Sequence, residues 1–183
     1  MRWRGYTLIE LLLVVALLGM AGSLLVPQMV GRDSLRAQAA VRRVVADLSF
    51  AQSDALAHQE FRRVQFLPDG AGYAIVRVSA ATYAGEVDLD TADYIVDPMS
   101  GAGSQGRYIT DFTADPRFED VTISSVDIDD GNDFVVYDPL GGTIQSGDAP
   151  GTGGAIELSC GEDVFRITIS AFTGKLTVAR VAG

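Results

Sequence analysis

Glu10 is the residue best placed to do chemistry in the N-terminal part of this chain, because it is the only charge between Arg4 and Arg32 in an otherwise largely apolar run. A carboxylate beside a hydrocarbon layer costs on the order of a few kcal/mol unless it reaches the interface or meets a cation. Two readings follow. Glu10 snorkels to the headgroups, or it pairs with a positive group supplied by processing of the chain or by a neighbouring chain. Neither is catalysis, and the rest of the sequence offers few reacting groups. Gly101-Ala102-Gly103-Ser104-Gln105-Gly106 has the GxGxxG spacing that frees backbone NH groups for a pyrophosphate. No strand pattern leads into it and a β-like Arg107-Tyr108-Ile109-Thr110 follows, so a flexible loop is expected. His58 and Cys160 are the single histidine and cysteine, which excludes an intrachain disulfide and a His-rich metal set, and no GxSxG is present. His58 reads as a helix-end residue and Cys160 as a small buried one. Asp88, Asp90 and Asp93, and separately Asp127, Asp129, Asp130, Asn132 and Asp133, offer clustered oxygen ligands of the kind calcium takes. The first set lacks a glycine turn and the second lacks the spaced glutamate of an EF-hand. A solvated acidic loop is expected there, with Asp127, Asp129, Asp130 and Asp133 as weak calcium candidates. No catalytic residue and no cofactor is predicted.

The elements that would position Glu10 come from hydropathy. After Glu10 no charge appears until Arg32, and about twenty residues rising 1.5 Å each would cross a hydrocarbon core of about 30 Å. Arg2 and Arg4 ahead of the run hold that end on the cytoplasmic side, giving an N-in, C-out topology. From Asp33 to about His58, Leu35, Val41, Val44, Val45, Leu48, Ala51, Ala55 and Leu56 recur at three- and four-residue steps, which predicts an amphipathic helix. It continues the first helix through Pro27 and Gly31, where a kink is expected. Its apolar stripe requires a sheet. Arg62–Leu67, the turn Pro68-Asp69-Gly70 and Tyr73–Val78 read as a β-hairpin. Val121–Ile128, Phe134–Tyr137, Ala155–Cys160, Val164–Ser170 and Lys175–Val181 follow as further short strands. The fold class expected is α+β: a long N-terminal transmembrane and amphipathic helix packed on a mainly antiparallel β head.

Charge divides along the chain. The formal net charge of the 183 residues is −10, yet up to Arg63 there are eight basic and five acidic residues, and beyond it six and nineteen. Between Glu86 and Asp133 thirteen acidic residues face two basic ones, so residues 80–133 read as a mostly solvated acidic insertion. An acidic head repels phosphate backbones and gives sequence-independent DNA binding no broad electrostatic support.

Gly5-Tyr6-Thr7-Leu8-Ile9-Glu10 ahead of an apolar helix resembles the class III signal of type IV pilins and pseudopilins. In that family a prepilin peptidase cuts after the glycine and methylates the new amino terminus. The resemblance implies cleavage between Gly5 and Tyr6, with Glu10 compensating the amine of an adjacent subunit. The leader is short and Tyr6 stands where phenylalanine is more usual. A secretory signal peptide cut near Met20-Ala21-Gly22-Ser23 is the competing reading, disfavoured by the charge at Glu10 and by the apolar run continuing past Leu25. The segment Val44–Ala55, Val64-Gln65-Phe66, Phe134–Tyr137 with Gly141-Gly142, and the closing pair Val164–Ile169 and Thr173–Val178 are similar to the GspH/FimT pseudopilin family. That resemblance implies a pilin-like fold divided into a leader (1–5), a transmembrane helix (6–27), its amphipathic continuation (28–60) and a β-rich head (61–183). It implies a non-enzymatic minor pseudopilin of a type II secretion system, single-pass in the inner membrane with a periplasmic head. The partners implied are other pseudopilins, the prepilin peptidase and secreted cargo. The runner-up is a FimT-like minor type IV pilin that binds DNA for uptake, for which Lys175 and Arg180 are the local cations. A third reading is a membrane-anchored β domain of unrelated function.

Overall fold

The computed structural model describes residues 7–29, 32–98 and 106–182, with side chains over 7–21, 33–98 and 106–181. Two helices lead the chain. The first, α1 (Leu8–Met29), starts where the Thr7 hydroxyl and carbonyl accept the Glu10 N–H, an N-cap with glutamate at the third helical position. Among the described residues no helix is long and apolar enough to cross a membrane. The side chains of α1 are described only through residue 21, about 21 Å of helix against a core of about 30 Å. The second helix, α2 (Arg32–His58), ends on Gln59 at φ 55°, and the Glu60 N–H returns to the Ala55 carbonyl at 3.2 Å. This left-handed cap stops the helix and turns the chain into the sheet.

The head carries two four-stranded antiparallel sheets. In the first, β1 (Phe61–Phe66) lies between β2 (Gly72–Val78) and β5 (Phe134–Tyr137), with β3 (Ile109–Asp111) outside β2. In the second the order is β10 (Leu176–Ala182), β9 (Asp163–Ser170), β8 (Gly153–Cys160) and β4 (Val121–Ile128). A small ladder joins β6 (Ile144–Gln145) to β7 (Ala149–Pro150). The predicted hairpin forms, with Phe61 opposite Val78 and Phe66 opposite Tyr73. Its turn requires Gly70: φ is +70°, and a Cβ there would lie 2.5 Å from the Ile123 carbonyl oxygen. That close approach lets Ile123 N–H bond the Gly70 carbonyl at 2.9 Å, tying the first sheet to β4 of the second.

Helix α2 packs against both sheets. Ala37, Val41, Val44, Leu48, Ala51 and Ala55 are buried at alternating four- and three-residue steps with Ala40 beside them, and the alanines let the strands come close. Leu35 and Leu56, expected on this stripe, stand 68% and 56% exposed. The acidic stretch also departs from expectation. Ile95, Tyr108, Phe112 and Phe118 from it are buried in the common core, Tyr83 is buried against Phe61, and β4 closes the second sheet. Most of its acids face outward, Asp97 and Asp129 being the buried ones, while Tyr108 and the Pro116–Phe118 turn pack on α2, a pattern hidden when the stretch is read by charge alone.

Candidate functional site

The structure separates an exposed apolar helix from a β-rich head. Along α1, Leu8, Ile9, Leu11, Leu12, Leu13, Leu17 and Leu18 are each more than half exposed, and every described side chain of this helix, through residue 21, is exposed. Glu10 sits exposed in its first turn, and among the described residues no cation lies within ion-pair distance of it. An exposed apolar rod bearing one carboxylate has to find its contacts in lipid or in other molecules. The processing pair Gly5 and Tyr6 and the GxGxxG residues 101–105 lie outside the described residues.

The junction between helix and head is built on Asp47, a charge on the core face of α2 that is almost fully buried. Its Oδ2 accepts from Arg43 Nε at 2.8 Å, from the Tyr73 hydroxyl at 2.6 Å and from the Thr110 hydroxyl at 3.1 Å, and its Oδ1 accepts from the Tyr108 hydroxyl at 3.0 Å. A buried carboxylate is tolerated when its lone pairs are filled in this way. Burial, and then the Asp47 charge, push the Tyr73 and Tyr108 hydroxyls well above the ordinary tyrosine range. Burial works against the charge on Arg43, but Asp47, Tyr73 and Tyr108 together outweigh it and the guanidinium pKa is raised. Arg43 also reaches Asp97 at 3.6 Å, and Phe50 stacks on Tyr108 with centroids 5.3 Å apart. One carboxylate thus fastens β2, β3 and the acidic stretch to the stem helix.

Two buried arginines complete the fastening. Arg62 is held by Asp54 and, at 3.0 Å, by Glu60, which also takes Arg77 at 2.9 Å. Arg63 Nη1 donates to the carbonyls of Tyr83 and Gly85, its other nitrogens donate to Gln65 Oε1, and it stacks 3.5 Å over the Phe134 ring. Burial pulls its pKa down to about 10, with Asp133 opposing. Sequence reading placed Arg62 and Arg63 in a hairpin strand and named Asp47 for no role. The available signal was the placement of Asp47 between Val44 and Leu48 in helical register.

The other candidates are dispersed. Asp129 is buried and spends Oδ1 on the N–H groups of Thr152 at 2.6 Å and Gly153 at 3.1 Å, clipping one loop to another, while Asp127, Asp130 and Asp133 are exposed. Among the described residues no three acidic, His or Cys side chains converge to hold a metal ion. Arg180 on β10 is paired with Asp163 on β9, and Lys175 is exposed in the turn before β10, so the two cations form no common basic surface. Cys160 is buried, and burial, then Asp33, raise its thiol pKa, which leaves it unreactive. His58 closes α2 as expected.

Over 81 residues the chain is 31% identical to the type II secretion system protein H of Klebsiella michiganensis. The likeness is to the GspH-like family. The matched stretch covers 44% of this chain and 44% of the relative's length. No family model matches the chain, and no solved structure matches it. The GspH/FimT resemblance read from the Val44–Ala55 segment and the later strands agrees with this identity.

Proposed function

We propose that this protein is a minor pseudopilin, a non-enzymatic subunit of the pseudopilus of a type II secretion system. The observation that carries the reading is α1: an apolar helix whose described side chains are all exposed, with Glu10 in its first turn, on a chain similar to a secretion system protein H. In this reading the apolar run from Tyr6 to about Pro27 crosses the inner membrane, the prepilin peptidase cuts between Gly5 and Tyr6, and the head lies in the periplasm. The exposed leucines and valines of α1 pack with helices of neighbouring pseudopilins, and close helix packing in lipid supplies the association. Glu10 pairs with the freed amino terminus of the next subunit, which fixes the register of assembly. The head, fastened to α2 through Asp47, contacts other pseudopilins or cargo. The DNA-uptake reading is weakened by the pairing of Arg180 with Asp163, which leaves Lys175 without a cationic neighbour on its turn.

Glu10→Ala tests the mechanism. The variant should insert and be processed as wild type, yet be absent from sheared or affinity-isolated pseudopili; normal incorporation would remove Glu10 from assembly. Intact-mass measurement of membrane-purified protein should find Tyr6 at the terminus, and retention of Met1 in cells with an active peptidase would end the pilin reading.

A further inference from the structure

Three apolar side chains stand out of the head near the end of α2, from three separate pieces of chain. Phe172 in the β9–β10 turn is 64% exposed, Leu140 in the β5–β6 turn 84%, and Leu56 in the last turns of α2 56%. Gln52 brings these pieces together, since its Nε2 donates to the Gly141 carbonyl at 2.6 Å and to the Thr173 carbonyl at 2.8 Å. Thr143 N–H bonds the Phe172 carbonyl at 3.0 Å, and a Cβ on Gly141 would touch Leu56 Cβ at 3.8 Å.

Phe172 has φ +61°, in the left-handed region where a bulky aromatic is an outlier. Such strain persists only where the surroundings hold it. Here they do: Gly174, at φ +62°, is seated so close that an added Cβ would lie 2.9 Å from the Tyr137 ring and 3.2 Å from Gln52 Nε2. The turn is fixed from beneath, while the ring it carries is left in water. The strain is therefore not offset by packing of Phe172 inside this chain.

We propose that Phe172, with Leu140 and Leu56 beside it, anchors this head to the head of a neighbouring pseudopilin that offers an apolar pocket with a neutral or basic rim. The inference rests on the pseudopilin reading and adds the surface. Charge selects the occupant. Beyond Arg63 the chain has nineteen acidic and six basic residues, and the Leu140 turn is itself built on Asp138, whose carboxylate accepts the Leu140 and Gly142 N–H groups. A second copy would set like charge against like. A nucleic acid would find Lys175 on this turn but Arg180 already held by Asp163, hence no cationic track for its backbone. A rigid, solvent-facing aromatic with aliphatic neighbours is instead the pattern of a protein-interface anchor.

The test titrates the full chain, wild type and Phe172→Gly, against each other pseudopilin of the same secretion system, purified individually. One of them should bind the wild type, and Phe172→Gly should weaken it by at least about thirtyfold. Leu140→Ser should weaken it several-fold. The same Phe172→Gly change should raise the melting temperature, because glycine adopts this φ without strain. Unchanged affinity in Phe172→Gly, or a lowered melting temperature, overturns the anchor while leaving the pseudopilin reading in place. Phe172-dependent self-association, or Phe172-dependent binding of duplex DNA or anionic vesicles, overturns the choice of partner. If no pseudopilin binds the wild type at all, the pseudopilin reading falls with it.

Discussion

Helices α1 and α2 are of similar length, yet they treat their side chains in opposite ways. On α1 the apolar residues face outward all around the described helix and the one carboxylate, Glu10, has no described cation near it. On α2 the apolar residues form a single buried stripe and the one carboxylate within it, Asp47, has four hydrogen-bond donors. A carboxylate in a low-dielectric setting must be satisfied, so the two helices differ in where the partners come from. Asp47 finds them in its own chain and serves folding. Glu10 has no such partner among the described residues, and the assembly role proposed for it would supply one from another chain.

The largest effect is expected from breaking the α2 side of this contrast. Asp47→Ala leaves the Tyr73 and Thr110 hydroxyls and the Arg43 guanidinium facing an emptied, buried position, and should cost about 3–5 kcal/mol in denaturant unfolding. A loss under about 1 kcal/mol would mean that the acidic stretch is fastened to α2 by packing alone. Next in size is Gly174→Ala, which adds strain at φ +62° and presses on the Tyr137 ring; a loss of about 1–3 kcal/mol is expected, with the β9–β10 turn disturbed.

A third effect comes from tyrosines. Burial raises the pKa of Tyr73, Tyr108 and Tyr137 above the usual value of 10.0, so the folded chain keeps protons that the unfolded chain releases. The stability they contribute is whole below about pH 10 and is lost as pH rises through the raised folded values, at up to about 1.4 kcal/mol per pH unit for each. Arg63, lowered to about 10, acts in the other direction and offsets part of one tyrosine. Unfolding midpoints measured between pH 9 and 11.5 should fall steeply above pH 10, and a flat profile would contradict the buried tyrosine set. Among the described residues the Tyr137 hydroxyl has no hydrogen-bond partner. Tyr137→Phe should therefore be neutral or stabilising by about 1 kcal/mol at pH 7 and should soften the alkaline fall. The smallest effect sharpens the contrast from the α1 side: Glu10→Ala should leave the unfolding of the head within about 0.5 kcal/mol of wild type even as assembly is lost.

The readable parts of the sequence were those governed by neighbours in the chain. The apolar run of α1, the stripe of α2, the Gly70 hairpin turn and the alternating late strands all reflect spacing within a few residues, and each is found where that spacing put it. Leu35 and Leu56 mark where the stripe rule failed, because helical spacing names a face without saying how far along it the sheets extend. The weak acid cluster, Asp127 to Asp133, looked like one loop by charge, yet Asp129 turned inward to cap backbone N–H groups more than twenty residues away.

By itself, then, the sequence determined an apolar helix with one carboxylate, an amphipathic helix behind it, an antiparallel head and the family resemblance, since all of these are written in local pattern or in direct identity. Tertiary structure alone decided which charges are buried. Asp47 is filled by donors 26, 61 and 63 residues away, Arg180 is neutralised across a strand pair, and Phe172 is exposed by a turn that Gln52 holds from 121 residues back at Thr173. Burial of a charge and exposure of an aromatic depend on groups that meet only after the chain has folded, and periodicity carries no record of them.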